Sequence, residues 1–197
     1  QGTMTDLAKE ELSTKNIDNR TSGKINTGKG ISSSGNVVNQ GTLNTNGDLT
    51  VSGNFENNNI VNAGGALTAK DVVNTGVLKV SDRIVSRGVT FTNSGEILTE
   101  NLDVDVSGNV INSNKLIVLD NAKIKGSSIN NQNYISATNM ELITLSLVNS
   151  GTLAADEVLK ANNAFINNAG GYIGSNQKVE LNNTNLTNTG TIESATV

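Results

Sequence analysis

Apolar residues recur in this chain with two periods at once. Over short runs they alternate with polar residues, as in Leu102-Asp103-Val104-Asp105-Val106 and Leu49-Thr50-Val51. Over the whole length, one local pattern returns every 17 to 21 residues. It is plainest in Asn93-Ser94-Gly95-Glu96-Ile97, Asn112-Ser113-Asn114-Lys115-Leu116, Asn131-Gln132-Asn133-Tyr134-Ile135 and Asn149-Ser150-Gly151-Thr152-Leu153. Alternation at period two predicts strands, and no stretch holds apolar residues at helical spacing over ten or more positions. The 33 asparagines and 20 glycines also weigh against helix. A fixed period near 20 residues predicts a solenoid.

The third residue of each line serves as an anchor for the repeat. The anchors are Gly2, Gly23, Gly41, Asn59, Gly76, Gly95, Asn114, Asn133, Gly151, Gly170 and Gly190. Glycine and asparagine enter the left-handed backbone region most readily, so each anchor is expected to be a tight turn residue with positive φ. Two residues earlier stand Asn39, Asn57, Asn74, Asn93, Asn112, Asn131, Asn149, Asn168 and Asn188, with Thr21 breaking the series. Two residues later every side chain is apolar or aromatic, from Met4 and Ile25 through Leu153, Tyr172 and Ile192. Four residues earlier the column runs Val37, Phe55, Val72, Phe91 and on to Leu186, with Asn19 as its exception. Four residues later it is small or β-branched, from Thr27 to Gly174 and Ser194, with Asp6 breaking it.

These columns predict an all-β fold, a right-handed parallel β-helix of about ten coils of 17–21 residues. Coils stacked at about 4.8 Å would make a rod of roughly 48 Å. The asparagine column is expected to form a ladder of stacked amides, with the aliphatic columns filling the interior. Asn62-Ala63-Gly64-Gly65 competes with Asn59 as a turn, but choosing it would leave a coil of 12 residues, too few to close a circuit. Residues 57–66 are therefore expected to hold the least regular turn. Residues 19–197 read as one repeat domain, and residues 1–18 as an irregular first coil or cap-like segment with a small charged cluster. The chain opens within a turn pattern and stops within a strand pattern, and a piece of a much longer repeat protein is expected.

Composition narrows the function. Net charge is −4 with 16% charged residues, which offers no basic face for nucleic acid. No apolar run is long enough to span a bilayer as a helix, and no signal peptide is apparent. Cysteine, histidine and proline are absent, which removes disulfides, thiolate chemistry and the commonest metal ligand and general base. No cofactor, metal site or membrane insertion is expected. An Asn/Gly/Ser/Thr-rich solenoid without cysteine fits an extracellular bacterial protein.

The repeated turn is also seen in Asn39-Gln40-Gly41-Thr42-Leu43, Asn74-Thr75-Gly76-Val77-Leu78, Asn168-Ala169-Gly170-Gly171-Tyr172 and Asn188-Thr189-Gly190-Thr191-Ile192. It resembles the repeat region of filamentous-haemagglutinin-like exoproteins, the large adhesins of two-partner secretion, which include the stalks of contact-dependent growth inhibition toxins. The resemblance covers about residues 19–197. It implies a right-handed β-helix, export through an outer-membrane β-barrel partner, and a role as adhesin or stalk on the surface of a Gram-negative bacterium or secreted from it. A host-cell or bacterial-cell receptor is implied as well. The Asn-Pro motifs of that family's secretion domain are absent, so this stretch is not the secretion signal.

Catalysis on a β-helix wall needs carboxylates beside a basic residue on one outer face. Asp103 and Asp105 should point outward from one strand. They share no column with Asp120, and a solvated strand face is the expectation. Lys29, Gly47, Asp82, Asn101, Asp120, Asn139, Glu157 and Asn176 all lie six residues after their anchors and read as a second polar column. Phe91 and Tyr172 are placed inside, whereas Tyr134 is placed outside, where it could contact a glycan. The reading is a non-enzymatic, monomeric rod that projects a binding or toxin region. The alternatives are a module that binds glycan or protein along one flank and, third, a carbohydrate-active β-helix enzyme.

Overall fold

A computed structural model describes residues 3–7 and 11–195, and among these the chain is all-β without helix, a parallel β-solenoid of about 9 turns. Each turn lays down three short strand segments separated by corners, so the solenoid has three faces. The turn through Phe91 illustrates them. Phe91–Asn93 lies on the third face, and Glu96–Asp105 supplies the first and then bends onto the second. Every strand pairs in parallel with its equivalent one turn away, for example Phe91 with Val72 and Val110. In some turns successive faces share one long strand, as in Val77–Ser86 and Tyr134–Asn149, whereas in others a short corner separates them, as between Lys115–Val118 and Asn121–Asn131.

Period-two alternation works as expected on each face. On the first, Leu43, Val61, Leu78, Ile97, Leu116, Ile135 and Leu153 are fully or almost fully buried. The third face turns Val37, Phe55, Val72, Phe91 and Val110 inward, and the second turns Leu49, Leu67, Ile84 and Leu102 inward. Interiors pack to nearly crystalline density, and here the turn of Phe55 carries Ala63 and Ala69 at the inward positions that Thr99 and Val104 take in the turn of Phe91.

Register corrects the sequence columns in two places. Asn19, not Thr21, stacks on Asn39, and Ile17 stacks on Val37. The turn after Asn19 carries two extra residues, and Ser22 absorbs them at φ 70°. In the turn after Asn168, Tyr172 pairs with Thr152 and Ile173 with Leu153, so the stacking anchor is Gly171 rather than Gly170. Gly170 is the inserted residue, at φ 76°. Ile173 is therefore the buried side chain, and Tyr172 lies on the outer surface. Ser175 takes the inward place expected of Gly174, because it pairs with Ala155. Asn57–Asn74 and the pairs around Asn59 keep regular register, whereas insertions fall at 19–23 and 168–171 and the register also shifts between Val80 and Arg83 and between Ala137 and Asn139.

Near the start, Leu12–Thr14 pairs with Ile31–Ser33, and Ile17–Asn19 with Val37–Asn39, so the solenoid already includes these residues. Thr3 and Met4 pair with Lys24 and Ile25, with an irregularity before Leu7. The anchor placed at Gly2 lies outside the described residues.

Candidate functional site

The corner between the third and first faces holds the asparagine column, and its geometry is uniform. Asn19 donates its side-chain amide to Asn39 Oδ1 at 2.7 Å, and Asn39 donates to Asn57 at 2.8 Å. The chain continues through Asn57–Asn74 at 2.8 Å, Asn74–Asn93 at 2.9 Å, Asn93–Asn112 at 2.8 Å and Asn112–Asn131 at 2.9 Å. Asn131–Asn149 at 2.8 Å, Asn149–Asn168 at 2.9 Å and Asn168–Asn188 at 2.7 Å complete it. Every link points the same way, amide to oxygen toward the C-terminus, so the dipoles add and polarise one another. Each amide nitrogen also reaches a carbonyl in the next turn, as Asn112 does to Tyr134 O at 3.2 Å and Asn74 to Glu96 O at 3.1 Å. A second amide contact reaches its own turn, as from Asn112 to Asn114 O at 2.7 Å. All members from Asn19 to Asn168 are buried, while Asn188 is exposed.

The anchors work differently from the expectation. Among the described residues, positive φ occurs only at Ser22 and Gly170, so Gly23, Gly41, Asn59, Gly76, Gly95, Asn114, Asn133, Gly151 and Gly190 are not left-handed turns. Glycine is selected by close stacking. A β-carbon on Gly95 would lie 2.0 Å from Gly76 O, and one on Gly151 would lie 1.9 Å from Asn133 O. The neighbouring backbone bonds record the effect. The amide after a glycine anchor reaches the carbonyl below at 2.9 Å (Thr42 to Gly23 O) and 2.8 Å (Glu96 to Gly76 O). After asparagine anchors the bond lengthens to 3.3 Å, from Ile60 to Gly41 O and from Tyr134 to Asn114 O. A side chain at the anchor holds the turns slightly apart. Asn59 and Asn114 offset this by donating their own amides to Gln40 O and Ser94 O, each at 3.3 Å.

The second face carries a pattern that sequence offsets missed. Asp103, Lys123, Glu141, Lys160 and Glu180 stack in one outward column, alternating in sign on successive turns. Lys123 pairs with Glu141 at 3.8 Å and Lys160 with Glu180 at 4.0 Å. Asp103 is bound by Arg87, and Asp105 by Lys125 at 3.1 Å. Lys178 also binds Glu180, and this hydrogen bond and charge hold the Glu180 carboxyl below its ordinary pKa. Exposed pairs of this kind are screened by water and add little to stability. Their main effect is a charged but locally neutral wall. Among the described residues, no group of three or more acidic, histidine or cysteine side chains is placed to hold a metal.

The expected column six residues past the anchors does not exist as one line. Asn101 stacks on Arg83, and Asn139 stacks on Asn121 rather than on Asp120. The corner between the first and second faces varies by one residue from turn to turn, so a fixed offset cannot follow it. Asp120 sits at that corner, where its carbonyl accepts from Thr138 N at 2.9 Å and Asn139 N at 3.1 Å.

The first face exposes apolar side chains mid-rod. One outward column reads Thr42, Ile60, Val77, Glu96, Lys115, Tyr134, Thr152. The other reads Asn44, Asn62, Lys79, Leu98, Ile117, Ser136, Ala154. Ile60 and Leu98 are exposed, and Val77, Ile117 and Tyr134 are half-buried. At the lower end Asn26, Asn44 and Asn62 form a second, external amide ladder with 2.8 Å links. At the upper end the Tyr172 hydroxyl donates to Glu193 at 2.6 Å, and this bond to a carboxylate raises the tyrosine pKa.

No family model, no curated protein and no solved structure matches this chain.

Proposed function

We propose that this chain is a non-enzymatic stalk segment of a surface-exposed or secreted bacterial filamentous adhesin. It holds a binding or toxin region at a distance from the cell. The supporting observation is the amide ladder, which runs from Asn19 to Asn188 without a missing link and fastens each turn to the next inside a continuous apolar core. Corners of a few residues leave little backbone for a protease to enter. The sequence resemblance to filamentous-haemagglutinin-like repeats supplies the rest of the proposal: a Gram-negative source and an outer-membrane β-barrel export partner.

The test is direct. The labelled protein is incubated with epithelial cells, bacterial cells and a glycan panel, and its persistence under protease is measured in parallel. A stalk resists protease and shows no saturable binding to any of the three. Saturable binding to a cell or a glycan class would replace the stalk with an adhesive module binding along one flank.

A further inference from the structure

The outward pattern on the first face is self-complementary. We propose that two copies of this chain pair laterally and antiparallel through that face, about a two-fold axis lying between the turn of Glu96 and the turn of Lys115. In an isologous contact each element meets its counterpart by the same operation. With the rods antiparallel and the axis perpendicular to them, each outward column faces itself with its order reversed.

That operation sets Glu96 against Lys115 of the second copy and Lys115 against its Glu96. In the adjacent column it sets Leu98 against Ile117 twice. One turn further out it sets Val77 against Tyr134, again twice. The centre is thus four aliphatic side chains beside two opposite-charge pairs, with an aromatic–aliphatic contact at each shoulder. The parallel alternative fails the same check. It would oppose the two columns within each turn, placing Glu96 against Leu98, Lys115 against Ile117 and Val77 against Lys79.

The charges on the two candidate faces differ in one decisive respect. On the second face Asp103, Asp105, Glu141 and Glu180 are already paired with cations of the same chain. On the first face Glu96, Lys115 and Lys79 are exposed, and none is among the ion pairs of the described residues. Exposed Ile60 and Leu98 stand on this same face beside half-buried Val77, Ile117 and Tyr134. Apolar side chains beside unpaired opposite charges at the centre of one face have the composition of a contact surface.

Size bounds the strength. A strand of four residues is about 13 Å wide and nine steps of stacking span about 43 Å, a footprint of roughly 600 Å² per copy. Specific interfaces typically use about 800 Å² per partner, so this face suffices for a weak, reversible dimer whose affinity is set by the quality of the central contacts. The pairing departs from the monomeric rod expected from sequence. Its biological consequence rests on the stalk proposal: antiparallel rods join stalks that project from facing surfaces, not neighbours on one surface. The dimer itself is tested on the isolated protein and stands or falls separately from that reading.

The experiment is sedimentation equilibrium on the wild type, Glu96→Lys, Lys115→Glu and the double variant Glu96→Lys/Lys115→Glu, with small-angle scattering on the dimer. All substituted side chains are exposed, so circular dichroism and the denaturation midpoint report whether each variant folds like the parent. The expected result is a wild-type dimer weakened about tenfold or more by either single reversal, since each places like charges together twice. The double variant re-forms both pairs with their signs exchanged and should return to within about threefold of wild type. Scattering should give a cross-section doubled in one direction with the rod length unchanged. A wild type that stays monomeric at several hundred times micromolar concentration overturns the proposal. So does a dimer indifferent to the single reversals, or a double variant as weak as the singles.

Discussion

Asn112 donates its side-chain amide to Asn131 Oδ1 across 2.9 Å, and both residues are buried. The same nitrogen contacts Asn114 O and Tyr134 O, and the Asn112 oxygen accepts from Asn93. Asn112→Ala therefore removes one side chain and leaves several buried partners unpaired. The expected loss is about 2–4 kcal/mol, more than the ~1 kcal/mol of one average hydrogen bond. Asn188→Ala, at the exposed end, should cost under about 1 kcal/mol. Urea denaturation of both variants checks the contrast, and equal losses would mean that burial does not govern the ladder.

Glycine at the anchors is required by contact rather than by φ, and two alanine substitutions separate these causes. Gly95→Ala drives a β-carbon to 2.0 Å from Gly76 O. Turns must part to admit it, at a cost of about 1–3 kcal/mol. Gly170→Ala meets nothing within 4 Å and bears only its φ of 76°. That costs about 1–2 kcal/mol for a left-handed L-residue, and Gly170→Asn should recover part of it. Partial recovery by asparagine at 170 is the outcome expected in thermal denaturation, and no recovery would mean that φ is not the cause there.

The Thr27 hydroxyl is buried with no hydrogen-bond partner among the described residues. Val80 and Val118 occupy the equivalent inward position in other turns. Thr27→Val keeps the shape and removes the unpaired group, so it should stabilise the protein by about 1 kcal/mol. A lower denaturation midpoint would show that the hydroxyl does have a partner.

Tyr172 and Glu193 make a pH-dependent contact. The hydroxyl donates to a carboxylate, so ionising the phenol loses the bond and places two negative charges together. The folded pKa is raised. The contact's contribution is therefore fully present below the ordinary tyrosine pKa and is lost as pH climbs through the raised value. Glu193→Gln should lower the Tyr172 pKa, as read by ultraviolet absorbance titration in a Tyr134→Phe background. An unmoved titration would place the cause elsewhere.

Much of this fold was legible because a solenoid repeats its physics. Asn93, Asn112 and Asn131 are equally spaced, and each inward strand position returns with similar bulk, so the ladder and the interior of the first and third faces follow from one period. The errors of register fell where a corner gained residues. Nothing local distinguishes Gly170 from Gly171, or Thr21 from Asn19, as the residue that stacks. That choice is made by backbone bonds to the turn below, which are long-range.

What the sequence determined by itself was the strand alternation, the coil length and the identity of the inward columns. These depend on neighbours a few residues away or one period away. Tertiary structure alone decided the anchor chemistry and the alternating charges from Asp103 to Glu180. Corner lengths vary by a residue or two, and side chains on an outer face meet only after every corner has been closed. Small local insertions shift those alignments while leaving the period almost untouched, so the surface is set by the accumulated geometry of the whole coil.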